Sequence, residues 1–189
     1  MWTYNFFGLD IYHIVVGFCI YSVLGWVVES IYMSYCNKKL TNRGFGTLPF
    51  CPIYGFGATA GFMVLRPLTD NPALLYIAGA VGATIFEFIV AKLMRKLFDE
   101  VWWDYNMKPL NYQGVICLES TLAWGIYAII VVRHLHTFVM HEVDKMPQMI
   151  MKRVCVVLLL AYLVDFTYHV YKAYTMTHEK EKKNRTVSY

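Results

Sequence analysis

IYHIVVGFCIYSVLGWVVESIYMSY, residues 11–35, is the stretch whose reading decides the fold. Its 25 residues hold one formally charged side chain, Glu29. As a helix it rises about 37 Å, more than the ~30 Å of bilayer hydrocarbon. A carboxylate in hydrocarbon is costly, so it is kept where it faces protein or water. Ser22, Gly25 and Glu29 recur at spacings of three and four, so they share one face. Gly25 lets a neighbouring helix approach closely beside the acid.

Working outward, the apolar run Ala73–Ala91 repeats the arrangement around Glu87. A dense polar and aromatic segment follows each acid. The first runs from Asn42-Arg43-Gly44-Phe45 to Pro52-Ile53-Tyr54-Gly55. The second runs from Trp102-Trp103-Asp104-Tyr105 to Pro109-Leu110-Asn111. An echo is visible, because Pro49, Cys51 and Tyr54-Gly55 after Glu29 match Pro109, Cys117 and Trp124-Gly125 after Glu87. Both host runs point the same way through the membrane, so a parallel duplication is geometrically allowed, although the spacings differ.

Composition agrees with a membrane protein. The chain is 58% hydrophobic and 17% aromatic, with 15 Tyr and 5 Trp, too apolar for an ordinary soluble domain. Tyr and Trp suit membrane interfaces. A net charge of +4 orients the protein and does not describe a nucleic-acid surface. Residues 1–10 carry no Lys or Arg, so a cleaved signal peptide is not expected. The five cysteines show no C-x-x-C pair and no metal spacing. Cys19 and Cys155 read as packing residues, while Cys51 and Cys117 stand inside the polar segments. His13 and His169 read as packing or locally bonded, and the H-x-H at His134 and His136 is a weak metal signal. The glycines near residues 44–46 and 55–57 lack the Lys and Ser/Thr of a phosphate loop. No metal or cofactor is therefore expected.

The reading is an all-α, polytopic transmembrane bundle over residues 1–174, with a charged tail over 175–189. Five spans are expected, at about 11–35, 52–68, 73–95, 113–132 and 151–173. The second opens with Pro52, is rich in glycine and is open to a re-entrant course. Residues 134–147 read as an amphipathic helix on the outer interface. Five spans put 12 of the 17 basic residues on one side, which the positive-inside rule makes cytoplasmic. The N-terminus is then outside, the C-terminus inside, and both motif segments cytoplasmic.

The candidate site combines Glu29, Arg43, Tyr54, Glu87, Trp103, Asp104 and Asn111. Arg43 can pair with carboxylate or phosphate. Two readings of Glu29 stay open: it pins the motif loop through Arg43, or it contacts a substrate. Glu119, two turns into the fourth run, is open to snorkelling. Asp104 and Asn111 supply donors and acceptors beyond the needs of an aromatic belt, as a loop folded back into the bundle requires to satisfy its backbone.

The order Gly25-Trp26, Glu29, Asn42-Arg43-Gly44-Phe45 and Pro49 to Gly55 resembles a family of small bacterial membrane proteins. Glu87, Trp103-Asp104-Tyr105, Pro109-Leu110-Asn111, Ile116-Cys117-Leu118, Ser120 and Trp124-Gly125 continue the likeness, which covers residues 12–130. The family is that of ABC-transporter permeases of the CmpB type. Val115 stands where the family pattern has an arginine. The resemblance implies a transport subunit in a bacterial plasma membrane, partnered by membrane lipids and by copies of itself or a separate ATPase. A membrane-embedded enzyme or binding protein acting on a lipid headgroup is the alternative, with the acids as general acid and base and Arg43 on a phosphate.

Overall fold

Asp10 opens the first helix by accepting a hydrogen bond from the His13 amide at 2.9 Å. Helix α1 then runs over Ile11–Asn37 and stops where Lys38 turns left-handed (φ 52°). The computed structural model describes residues 2, 5, 6, 9–44, 46–99, 101 and 103–187, without the side chains of 5, 173 and 176–187. Phe45 and Trp102 of the motif segments lie outside the described residues.

Helix α2 spans Pro52–Leu65, with Pro52 at its first position. A 3-10 turn, Arg66–Leu68, follows because Pro67 cannot continue the backbone ladder. Asn71 caps α3, Pro72–Phe98, through the Leu74 amide at 3.1 Å. Cys117 and Ser120 form a reciprocal cap at the start of α4, Leu118–Ile130. A π-helical turn, Val131–Leu135, joins α4 to α5, His136–Asp144, without interrupting the helix. Pro147 precedes α6, Gln148–Val187. A two-stranded ribbon, Asn5–Phe6 against Leu9–Asp10, precedes α1.

Three helical stretches are long and apolar enough to cross a membrane: Ile11–Asn37, Pro72–Phe98 and Leu118–Asp144. The all-α membrane bundle expected from sequence is thus observed, with differences in its elements. The 52–68 run divides into the 14 residues of α2, which rise about 21 Å, and the 3-10 turn that follows them. The fourth helix starts at Leu118 and not near residue 113, because Gln113 (φ 55°) and Gly114 (φ 67°) hold left-handed turns that no helix can include. Of residues 134–147, expected as a separate interfacial helix, 134–144 continue this fourth helix and turn Val139 and Val143 into the core.

Two hairpins organise the bundle. In the first, α1 and α2 approach so closely that a Cβ on Gly25 would overlap the Tyr54 ring. In the second, α3 meets α4 where a Cβ on Gly79 would overlap Ala128. At the opposite end from the motif loops, Tyr12, Val16 and Cys19 of α1 pack with Val139 and Val143 of α5 and Cys155 of α6. Along α3, Ile77, Val81, Ile85, Ile89, Leu93 and Leu97 recur every four residues, and each is more than half exposed. Such a stripe on one helix face is untenable in water and natural against lipid.

Candidate functional site

Glu29 lies more than four turns into α1, on the face that meets the first motif loop. The Arg43 guanidinium donates to Glu29 Oε1 twice, from Nε at 3.0 Å and from a terminal nitrogen at 2.9 Å. The Tyr54 hydroxyl donates to the other oxygen at 2.6 Å. The loop that carries Arg43 is laid along α1 by its neighbours. Asn42 Oδ1 accepts from Trp26 Nε1 at 2.6 Å and from the Gly44 amide at 2.9 Å. The Arg43 amide donates to Ser30 Oγ at 3.3 Å, and the Cys51 thiol to the Arg43 carbonyl at 3.3 Å. Burial pushes the Cys51 thiol up to about 12, away from the thiolate form.

Glu87 on α3 is only 5% exposed. Tyr105 donates its hydroxyl to Oε1 at 3.1 Å, and Trp124 its indole N–H to Oε2 at 3.1 Å. Ser120 Oγ lies 3.4 Å from Oε2. Among the described residues no Lys, Arg or His pairs with this acid. Tyr54 and Ser120 occupy the same place, the third residue after a cysteine that precedes their helix. Each hairpin therefore carries an acid on its outgoing helix and presents a hydroxyl to it from its returning one.

The remaining candidates hold the second loop together. Trp103 Nε1 donates to the Val115 carbonyl at 2.8 Å. Asp104 Oδ1 accepts from the Asn106 amide at 2.8 Å and from its side chain at 2.7 Å. Asn111 Nδ2 donates to the Lys108 carbonyl at 2.9 Å, and its Oδ1 accepts from the Gly114 amide at 3.1 Å. Lys92 and Arg95 brace the loop from α3, on the Gln113 side chain at 2.7 Å and on its carbonyl at 2.9 Å. Glu119 pairs with Lys108 at 2.8 Å in an exposed position.

The seven residues thus divide. Glu29, Arg43 and Tyr54 touch one another, Glu87 stands in a second cluster, and Trp103, Asp104 and Asn111 staple a loop. Tyr105 bonds Glu87 and not Glu29: burial, then Glu87 and Cys117, then the more remote charge of Glu29 push its phenol above the usual range. Open grooves lie elsewhere, one of about 540 Å³ against α6 lined by Leu48, Leu160, Ala161, Val164, Asp165 and Tyr168.

Four contributors were not among the sequence candidates. Tyr105, Ser120 and Trp124 serve Glu87. Asp165 of α6 accepts from the Thr47 amide at 3.0 Å, the Thr47 hydroxyl and the Leu48 amide at 3.2 Å, fastening α6 to the first loop. A signal existed for Asp165, an acid inside the apolar stretch from Val154 to Tyr171. Among the described residues no group of three or more His, Cys, Asp and Glu gathers as a metal would need.

A family model described as Putative ABC-transporter type IV matches residues 16–170. No curated protein and no solved structure matches the chain.

Proposed function

The chain belongs to the family described as Putative ABC-transporter type IV, and from that membership we propose that it is a multi-pass permease subunit of a bacterial plasma membrane. Its N-terminus is outside and its C-terminus cytoplasmic, the arrangement that places 12 of 17 basic residues inside. A separate ATPase docks on the cytoplasmic face, with lipids around the bundle.

The observation that carries this reading is the tip of the second loop. Met107 is 96% exposed and Leu110 78% exposed. Both stand on a loop made rigid by Asp104, Asn111, Lys92 and Arg95. Two apolar side chains held out on a braced polar turn suit a partner's pocket. The base of that same loop carries Tyr105, which bonds one acid and feels the other. Force applied at the tip reaches the acids through one short segment. Glu29 and Arg43 then act as a gate, where an anionic group competes for the guanidinium once the loop moves.

A photo-crosslinker at position 107, in cells, tests the reading. Capture of an ATP-hydrolysing subunit supports it. Capture of lipid alone, with headgroup turnover by the purified chain, replaces it with the lipid-enzyme reading. Arg43→Lys should impair cellular function while leaving Tm close to that of the parent. A fall in both together reduces the site to scaffolding.

A further inference from the structure

Helix α6 carries a regular line along its outward side. Val157, Val164 and Tyr171 are 66%, 71% and 68% exposed and recur every seven residues, with Ile150 continuing the series. Val154, Ala161 and Tyr168 stand three residues before them and are exposed too. Together they make an apolar heptad seam, with alternating steps of three and four. No charged residue falls on the seam from Ile150 to Tyr171. That length rises about 32 Å, close to the ~30 Å of bilayer hydrocarbon.

Lipid asks only that a helix face be apolar, whereas a partner helix also asks that the face keep one direction. The α3 stripe steps by four from Ile77 to Leu97, so it advances about 40° per step and winds about 200° around its helix. Acyl chains follow such a winding and a straight helix cannot. The α6 seam drifts only about 20° per seven residues, which a left-handed supercoil absorbs. Its surface is also shaped. The groove of about 540 Å³ has Ala161, Val164, Asp165 and Tyr168 in its wall, and a second of about 490 Å³ has Val164, Thr167, Tyr168 and Tyr171. In a parallel coiled coil each knob enters a hole made by four residues of the facing helix. The first set is the hole for a side chain at the Val164 level, the second for one at the Tyr168 level. Asp165, the acid in the first wall, is already bonded to Thr47 and Leu48.

We infer that the outward seam of α6 is a dimerisation face and that its occupant is α6 of a second copy of this chain. Loop charge inserts both copies in the same sense, so a two-fold axis along the membrane normal sets the two helices parallel. Val157, Ala161, Val164 and Tyr168 then each meet their own copy, and no charge is brought against its like. Ala161 lets the backbones close, and the β-branched valines have little rotamer freedom to lose. The seam, with Leu160 and Thr167 beside it, covers on the order of 600 Å² per copy, near the ~800 Å² per partner of a specific interface. The pairing rests on the membrane orientation and is independent of what the protein carries.

Cysteine scanning of the full chain in its membrane tests the inference, with Cys36→Ser removing the exposed native thiol. Val157→Cys, Ala161→Cys and Val164→Cys, oxidised with copper phenanthroline, should run as disulfide-linked dimers, because a disulfide needs Cα atoms within about 7 Å. Val156→Cys and Leu163→Cys, one residue off the seam, and Ile85→Cys on the α3 stripe should stay monomeric although all three positions are exposed. Equal linking at every position marks random collision and overturns the inference. Absence of linking at the seam, or linking confined to Val156, Leu163 or Ile85, overturns it as well. In a second measurement Ala161→Phe, which points away from the bundle, should weaken dimerisation about tenfold. Two-step photobleaching of singly labelled copies in liposomes reads that fraction, and an unchanged fraction counts against the seam.

Discussion

Replacing Arg43 by alanine separates an ion pair that holds a loop from one that merely sits beside it. Arg43 gives Glu29 two donors at 3.0 and 2.9 Å, and the two side chains are 20% and 24% exposed. Hydrogen bonds to a charged group contribute about 1.5–3 kcal/mol each, and stranding one charge of a buried pair costs about 3–5 kcal/mol. Residual solvent contact places Arg43→Ala at the lower end, about 3 kcal/mol. Glu29→Gln keeps the Tyr54 contact and leaves a cation that can reach water, so about 1–2 kcal/mol is expected. The double variant should fall short of the sum by about 1–2 kcal/mol, since neither charge is then stranded. Thermal unfolding in detergent, followed by tryptophan fluorescence, reads the cycle. At about 2–4 °C per kcal/mol for a chain of this length, Arg43→Ala should lower Tm by ~6–12 °C. Additivity within ~0.5 kcal/mol would refute the pairing as the loop's anchor.

Gly25→Ala should cost about 1–3 kcal/mol through overlap with the Tyr54 ring, whereas Gly61→Ala, with open space around it, should be neutral or gain up to about 1 kcal/mol; thermal unfolding of the pair checks both. Asp165→Ala removes the acceptor for Thr47 and Leu48, so limited proteolysis should cut within residues 42–50 faster while α1 stays protected. In intact cells Cys36, the one exposed cysteine, should resist a membrane-impermeant maleimide until the membrane is opened, and Cys19, Cys51, Cys117 and Cys155 should stay unlabelled in the folded protein. Rapid labelling of Cys36 from outside would reverse the N-out arrangement.

The acids were legible because hydrocarbon leaves a carboxylate few places to go. Glu29 and Glu87 inside apolar runs announce partners, and both have them. Arg43 as the partner of Glu29 followed from charge alone. Asp104 and Asn111 were harder, because the side chains that suit a ligand also bond their own backbone, and only geometry separates the two roles. Helix limits failed where local backbone overrides hydropathy. Residues 113–117 are apolar enough to look helical, yet Gly114 sits at φ 67° against Asn106. Residues 134–144 look amphipathic because their apolar side packs on protein. The partners of Glu87 were out of reach for a different reason: Ser120 and Trp124 lie more than thirty residues away on another helix, and nothing in α3 specifies which residue comes back to meet it.

The π turn at Val131–Leu135 gives the long 118–144 helix two allegiances. Ahead of it Gly125 packs against Tyr76 and Ala128 against Gly79, both on α3. Beyond it His136 accepts or donates with the Tyr21 hydroxyl at 2.8 Å and stacks on Phe62 at 3.5 Å, so the same helix now belongs to the first hairpin. A regular α-helix keeps one facing along its length, and the wider turn supplies the change of azimuth. One continuous helix is thereby packed against α3 at one end and against α1 and α2 at the other.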